Sequence, residues 1–305
     1  MKRKRLKAYV FEKCKTRFAL PITSLTGNDP VMLHPVKSPA KPWFKRPNAT
    51  VRSNLALIKA RNQRIGTNAK INWQPVFEVV LVAAVLVICC FTLIDRPVAM
   101  NRGQLPDNIV SVSAFLTRFG KSDWILLPSL LALTGLLFLN TAALTQMALF
   151  RLYRWNLWLS FIAAGVGLPS LAVTILKRII GRPRPLKLEG FGLYDFQPFN
   201  TDAAFAAFPS GHSTTIGAFA VVMAVLLPKY RAFFAAFAVL VGFSRVGVGA
   251  HHPSDVIAGL AFGAIGAFLV AKWFATRGIL FLSTTHFWPR LRPSMQMVPK
   301  YNPRI

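Results

Sequence analysis

Acidic residues are scarce in this 305-residue chain: 10 Asp and Glu against 37 Lys and Arg leave a formal charge of +27. Charged residues of both signs make up only 15%, where a soluble globular chain carries about a quarter. Hydrophobic residues reach 53% and mean hydropathy is +0.44. Cysteine is nearly absent as well. Three in all, with Cys89 and Cys90 adjacent in an apolar run, cannot staple a disulfide scaffold. Heptads and Gly triplets are missing and no long repeat stands out, which excludes coiled-coil and collagen-like chains, and the aliphatic content excludes wholesale disorder. A chain both this apolar and this basic predicts membrane spans with cationic flanks.

The charge is unevenly spread. Residues 1–75 hold 17 of the basic residues and, as acids, only Glu12 and Asp29, with prolines at 21, 30, 35, 39, 42 and 47. Excess charge and low hydrophobicity predict a poorly ordered, solvated tail over 1–73. No short apolar region with a cleavage site follows the opening MKRKRLK, so it does not read as a secretory signal. Nucleic-acid binding is the sharper reading of such a tail, but a cytoplasmic anchor beside anionic headgroups accounts for the same charges more simply.

From Val76 onward charges become punctuation between apolar runs. A spanning helix needs about 20 mostly apolar residues, and six spans are predicted at about 74–95, 124–143, 155–177, 211–228, 231–248 and 254–275. The stretch 105–120, too polar to cross, reads as an amphipathic helix in the interface. The expected fold is therefore an all-α integral membrane protein with a six-helix domain over 74–280 and a basic tail over 281–305.

Lys and Arg positions set the orientation. With the amino-terminal tail cytoplasmic, the connections carrying Arg151, Arg154, Lys229 and Arg231 also face the cytoplasm, as does the carboxyl tail with its six basic residues. One outer connection dissents by carrying Lys177, Arg178, Arg182, Arg184 and Lys187. Five cations there call for another reason, and a bound polyanion supplies one.

Three polar clusters sit near the outer ends of spans three to six. They are Lys177 through Arg184-Pro185, Pro209-Ser210-Gly211-His212, and Ser244-Arg245 followed by His251 and Asp255. Helix direction brings four sequence-distant helix ends to one membrane face, where they can converge on one pocket. Phosphate suits it, because guanidinium forks and helix-start N–H groups match its oxygens. Ser210-Gly211 makes a good N-cap pair. Pro253 fits a first helical turn, and Asp255 falls in that turn within reach of His251. A carboxylate on one imidazole nitrogen fixes the tautomer and leaves the other lone pair for attack.

These clusters resemble the signature of the type 2 phosphatidic acid phosphatase superfamily: Lys-x6-Arg-Pro, Pro-Ser-Gly-His and Ser-Arg-x5-His-x3-Asp, all matched in order across 177–255. A lone Pro-Ser-Gly-His would be weak, whereas three spaced motifs are specific. The resemblance covers neither 1–73 nor the end after about 280, and the family's soluble branch includes vanadium-dependent haloperoxidases, which the spans disfavour. It implies that His251 takes the phosphoryl group onto nitrogen, that Asp255 orients it, and that His212 protonates the leaving oxygen and later activates water. Lys177, Arg184 and Arg245, with the Ser210 hydroxyl and the Gly211 N–H, would hold the phosphoryl oxygens. Splitting the transfer through a phosphohistidine gives two easier steps, and one neutral and one protonated histidine give a bell-shaped pH curve. No cofactor or metal is expected, since the pocket has fixed cations and no carboxylate cluster for magnesium.

Spacing decides between the adjacent histidines, giving His251 the nucleophile's place and His252 a supporting one. His34 and His286 lack chemical context. Arg178 and Arg182 read either as a grip on a second phosphate or headgroup or as interfacial snorkelling. Phe191, Tyr194, Phe196, Phe199, Phe205 and Phe208 in the loop 186–208 fit an interfacial lid or a plain aromatic belt. Cys89 and Cys90 read as packing residues, not zinc ligands. The expected substrate is a lipid phosphate or pyrophosphate arriving sideways from the bilayer: lipid A, undecaprenyl pyrophosphate, phosphatidylglycerol phosphate or phosphatidic acid. Transfer to a lipid acceptor is the rival reaction, and a non-catalytic lipid-binding or scrambling protein is disfavoured because His251, His212 and Asp255 are all present.

Overall fold

The computed structural model describes residues 73–139, 144–185, 192, 195–282 and 287–296. The expected amino-terminal tail lies outside them, apart from Trp73, as do Lys187, Phe191, Tyr194, His34 and His286. Eight α-helices account for most of what is described. They are α1 (Gln74–Cys89), α2 (Asp95–Met100), α3 (Asp107–Leu116), α4 (Asp123–Phe138), α5 (Gln146–Ile180), α6 (Gly211–Leu226), α7 (Arg231–Gly247) and α8 (Pro253–Thr276).

Five stretches are long and apolar enough to cross a membrane: Val76–Met100, Asp107–Phe138, Gln146–Ile180, Pro228–Gly247 and Pro253–Thr276. The fourth expected span, α6, is apolar but has only 16 residues. At 1.5 Å per residue such a helix is shorter than a hydrocarbon core about 30 Å thick. Its position explains why it can be short. Packed between α5, α7 and α8, α6 is shielded by protein along most of its length, and 11 of its residues are buried. Helix α1, by contrast, exposes Val79, Val80, Leu81, Val82, Val85, Leu86 and Ile88, the pattern of a helix whose solvent is lipid.

The first span is not a plain helix. Pro97 sits where its ring would clash with the carbonyl of Leu93 and where it offers no N–H. The backbone widens into a π-turn over Cys90–Ile94 before α2 resumes at Asp95, a recognised response to such strain. The sequence region read as an interfacial helix folds as α3 followed by a 3₁₀ turn, Thr117–Gly120, and an extended break at Lys121. That turn packs against α6 and α7.

Helices α6 and α8 cross at close range. A Cβ on Gly263 would stand 2.0 Å from the Thr214 carbonyl oxygen, and one on Gly259 would stand 2.5 Å from that of Ser210. Small residues four apart let two helices approach backbone to backbone. The apolar core, including Phe161, Val222, Ala271 and Phe281, fills the bundle end away from the motif clusters.

The segment read from sequence as a basic tail is folded against that same end. Phe281–Leu282 pairs antiparallel with Arg290–Leu291. The Trp158 indole N–H donates to the Met295 carbonyl at 3.1 Å, and Arg154 donates to the Gln296 carbonyl at 3.0 Å. This closure escaped the sequence reading, because Phe281, Trp288 and Met295 join a core built by helices far from them along the chain.

Candidate active site

Three helix boundaries build the site. Helix α5 ends at Gly181, whose φ of +68° is the left-handed conformation that terminates helices and that favours glycine. Its N–H caps the Lys177 carbonyl. A side chain at 181 would also collide with the Gln197 carbonyl oxygen, 1.8 Å from a Cβ placed there. The chain then lays the outer loop along 178–184 through Phe199 N to Arg178 O, Gln197 N to Gly181 O, Ala207 N to Arg182 O and Arg184 N to Ala204 O.

Helix α6 opens with Ser210 as N-cap, its hydroxyl oxygen accepting from Ser213 N at 3.4 Å and Ser213 Oγ at 2.9 Å. Above Gly211 a Cβ would meet nothing within 4 Å, so the first turn of α6 faces open space. Helix α8 opens with Pro253 in its first turn and Asp255 at N3, whose Oδ2 accepts from His252 N at 2.9 Å. The two openings are joined directly, since Ser210 N donates to the Asp255 carbonyl at 3.0 Å.

His251 is buried in the loop between α7 and α8, with Nδ1 3.6 Å from Asp255 Oδ2. That separation is too long for a hydrogen bond. Burial lowers the His251 pKa below the ordinary imidazole range, against the opposing pull of Asp255, and Arg245 and Arg184 lower it further. Burial likewise pushes Arg184 down, opposed by Asp255 and Asp202. His212 lies within electrostatic range of Arg245, His251, Lys121 and Lys177, and Lys177 within range of Arg184. The structure thus brings Lys177, Arg184, Ser210, Gly211, His212, Arg245, His251 and Asp255 to one end of the bundle. Three cations and two histidines around an open helix start have the chemistry of an anion-binding pocket. Among the described residues no group of His, Cys, Asp and Glu has the arrangement of a metal site.

Two arginines differ from what sequence suggested. Arg178 reaches back to the outer loop, Nη1 donating to the Asn200, Thr201 and Asp202 carbonyls at 3.3, 2.7 and 3.1 Å. It ties the loop down through that one nitrogen. Arg182 is fully buried between Asp95 and Asp255, so neither snorkelling nor headgroup binding describes it. Of the loop aromatics, Phe205 is buried while Phe196 and Phe199 are exposed. Sequence reasoning missed Thr117, whose Oγ1 accepts from Arg245 Nη1 at 2.6 Å, and Gly120, against which the His212 ring packs. Neither belongs to a motif. Asp95 carried the one available signal, an acid within an apolar run.

Residues 155–279 match the PAP2 superfamily. The chain is 38% identical over 244 residues to a protein from Rhizobium johnstonii described as lipid A 1-phosphatase, covering 78% of this chain and 96% of that one. It is 35% identical over 115 residues to phosphatidylglycerophosphatase B of Bacillus subtilis, covering 34% of this chain and 52% of that protein. The crystal structure of a transmembrane PAP2-type phosphatidylglycerolphosphate phosphatase from Bacillus subtilis aligns at 22% identity and a TM-score of 0.35, over 73% of this chain and 95% of that one. A relative matched at 38% over nearly its whole length, across the stretch that the family model also recognises, leaves one conclusion: the chain belongs to the PAP2 superfamily.

Proposed function

We propose that this protein is a membrane lipid phosphatase that removes the phosphate at the 1-position of lipid A through a phosphohistidine intermediate. Membership of the family and relatives named as lipid phosphatases support the hydrolase. The substrate rests on the lipid A 1-phosphatase relative, which this chain covers almost end to end, whereas the phosphatidylglycerophosphatase is covered by only half. The observation that carries the mechanism is His251, buried, with Nδ1 3.6 Å from Asp255 Oδ2 and the cations Arg184 and Arg245 within electrostatic range.

In the first step His251 Nε2 attacks phosphorus, the bond to the leaving oxygen breaks, and His212 gives that oxygen its proton. Water then attacks the phosphohistidine, His212 takes a proton from it, and inorganic phosphate leaves with both histidines restored. Lys177, Arg184, Arg245 and the Gly211 N–H hold the three equatorial oxygens, where charge spreads in the transition state. The Ser210 hydroxyl accepts two bonds from Ser213 and has its own proton to give an anion. The basic connections favour a multi-pass inner-membrane protein, both termini cytoplasmic, with the pocket on the periplasmic side.

The test is inorganic phosphate release in detergent, without acceptor lipid, from purified lipid A, undecaprenyl pyrophosphate, phosphatidylglycerol phosphate and phosphatidic acid. Wild type is expected to act fastest on lipid A, and His251→Ala to release nothing above background. Equal turnover by both removes the mechanism; faster release from another lipid replaces the substrate; release only once an acceptor is supplied makes the protein a transferase.

A further inference from the structure

The site has a second, wholly buried layer that the phosphohistidine chemistry does not call on. Arg182, Asp95, Ser254 and Asp255 are all at 0% exposure. Arg182 Nη1 donates to Asp255 Oδ1 at 2.5 Å and to Ser254 Oγ at 2.7 Å, while Nη2 donates to Asp95 Oδ2 at 2.8 Å. Ser254 closes the ring, its N–H on Asp95 Oδ1 at 3.0 Å and its hydroxyl on Asp95 Oδ2. The Phe91 ring lies beneath the guanidinium, 4.8 Å from Arg182 Cζ. Both Phe91 and the placement of Asp95 come from the π-turn at Cys90–Ile94, which re-aims the helix at the point where Asp95 meets the bundle. A span 159 residues upstream of Ser254 thus contributes a carboxylate to the floor beneath His251.

One guanidinium here faces two carboxylates, and each takes one of its terminal nitrogens. That division leaves Asp255 Oδ2 for the His252 N–H and for His251 Nδ1. Without Asp95 the fork is free to engage Asp255 with both nitrogens, the geometry guanidinium and carboxylate prefer, and Oδ2 is drawn away from the imidazole. A purely scaffolding contact would not need charge, since apolar side chains of similar volume hold buried helices as well or better than an ion triad. An ionisable residue inside a spanning segment points to function. We propose that Asp95 and Ser254, acting through Arg182, are positioning residues that keep one oxygen of Asp255 available to His251. This inference rests on the assignment of His251 as nucleophile.

The experiment measures phosphate release, from whichever lipid of the panel wild type hydrolyses fastest, by Asp95→Asn, Ser254→Ala, Arg182→Met, Asp95→Asn/Arg182→Met and His251→Ala, with thermal melts of each in detergent. Asp95→Asn keeps the shape of the side chain and is expected to lower kcat roughly ten- to a hundredfold, the scale of a catalytic group displaced by about an ångström. KM is expected to stay within about twofold, because the phosphate-holding cations are untouched. Ser254→Ala should lose less, also in kcat, and the double variant should be no slower than the slower single, because one ring is broken once. Wild-type kcat in both Asp95→Asn and Ser254→Ala, a loss confined to KM, or a double variant whose losses multiply would each overturn the proposal. Should Asp95→Asn fail to fold, Ser254→Ala decides, since it removes a hydroxyl and no charge. An inactive His251→Ala beside fully active Asp95→Asn and Ser254→Ala defeats this inference alone; an active His251→Ala defeats the assigned nucleophile and the inference with it.

Discussion

Arg245 Nη1 donates to Thr117 Oγ1 at 2.6 Å across 128 residues of sequence. The donor belongs to a family motif, the acceptor to a 3₁₀ turn outside every motif, and the same turn presents Gly120 to the His212 ring. One short turn therefore braces Arg245 and His212 together. Removing the hydroxyl while keeping the shape tests that brace. Thr117→Val is expected to lower kcat/KM about tenfold, the worth of about 1.4 kcal/mol from a hydrogen bond to a charged group. Steady-state kinetics on the preferred lipid decides it, and an unchanged kcat/KM would show that Arg245 holds its place unaided.

The backbone contact of α8 on α6 sets the distance between His251–Asp255 and Ser210–His212. Gly263 has no room for a side chain, the Thr214 carbonyl oxygen being 2.0 Å from any added Cβ. Gly263→Leu is expected to abolish activity and to lower the detergent melting temperature, by more than the 1–3 kcal/mol typical of overpacking, because backbone and not side chain must move. Gly135 in α4 meets nothing within 4 Å. Gly135→Ala is expected to leave activity intact and to stabilise by about 0.5–1 kcal/mol through helix propensity. A Gly263→Leu protein with normal turnover would contradict the packing.

Acidification acts on His251 and His252, both of which burial holds below the ordinary imidazole range. In the unfolded chain they take up protons near pH ~6.5, whereas in the folded chain they do so only at lower pH. The unfolded state therefore binds more protons as pH falls through that value, and stability, constant above it, declines below it. For activity the same shift places the acid limb of kcat/KM below about pH 6.5, since His251 attacks only when neutral. Melts and initial rates between about pH 8 and 5 test both, and a limb above the ordinary histidine range would show that His251 is not the titrating nucleophile.

In the proposed mechanism the charge that balances the phosphoryl oxygens comes from Lys177, Arg184 and Arg245, which are covalently part of the chain. Phosphate release is accordingly expected to be unchanged by EDTA. Abolition by the chelator, reversed by magnesium and not by calcium, would transfer that role from the side chains to a bound cation.

Much of this was legible in the sequence. The apolar runs located four of the five membrane-length stretches and the α6 helix because lipid rewards hydrophobic length whatever the tertiary contacts, whereas the fifth, Asp107–Phe138, joins the segment read as interfacial to the expected second span. The helix starts at Ser210 and Pro253 and the stop at Gly181 were readable from local chemistry. The spacing of the three motifs named the pocket residues that the helices then gather. Other residues were misread or missed for a common reason. Arg178 read either as an anion ligand or as an interfacial residue, yet it holds three loop carbonyls. Arg182 carried the same two readings and is fully buried, and Thr117 and Gly120 gave no local signal at all.

Sequence by itself determined that the chain is a set of apolar helices carrying a split phosphate-binding signature, because hydrophobic length, capping and motif spacing are properties of neighbours along the chain. Only tertiary structure decided which charges face a ligand and which face one another. Arg182 and Arg184 are two residues apart, but a buried guanidinium must be paired, and the partners of Arg182 come from helices 87 and 73 residues away. No local pattern can register a pairing made across that distance.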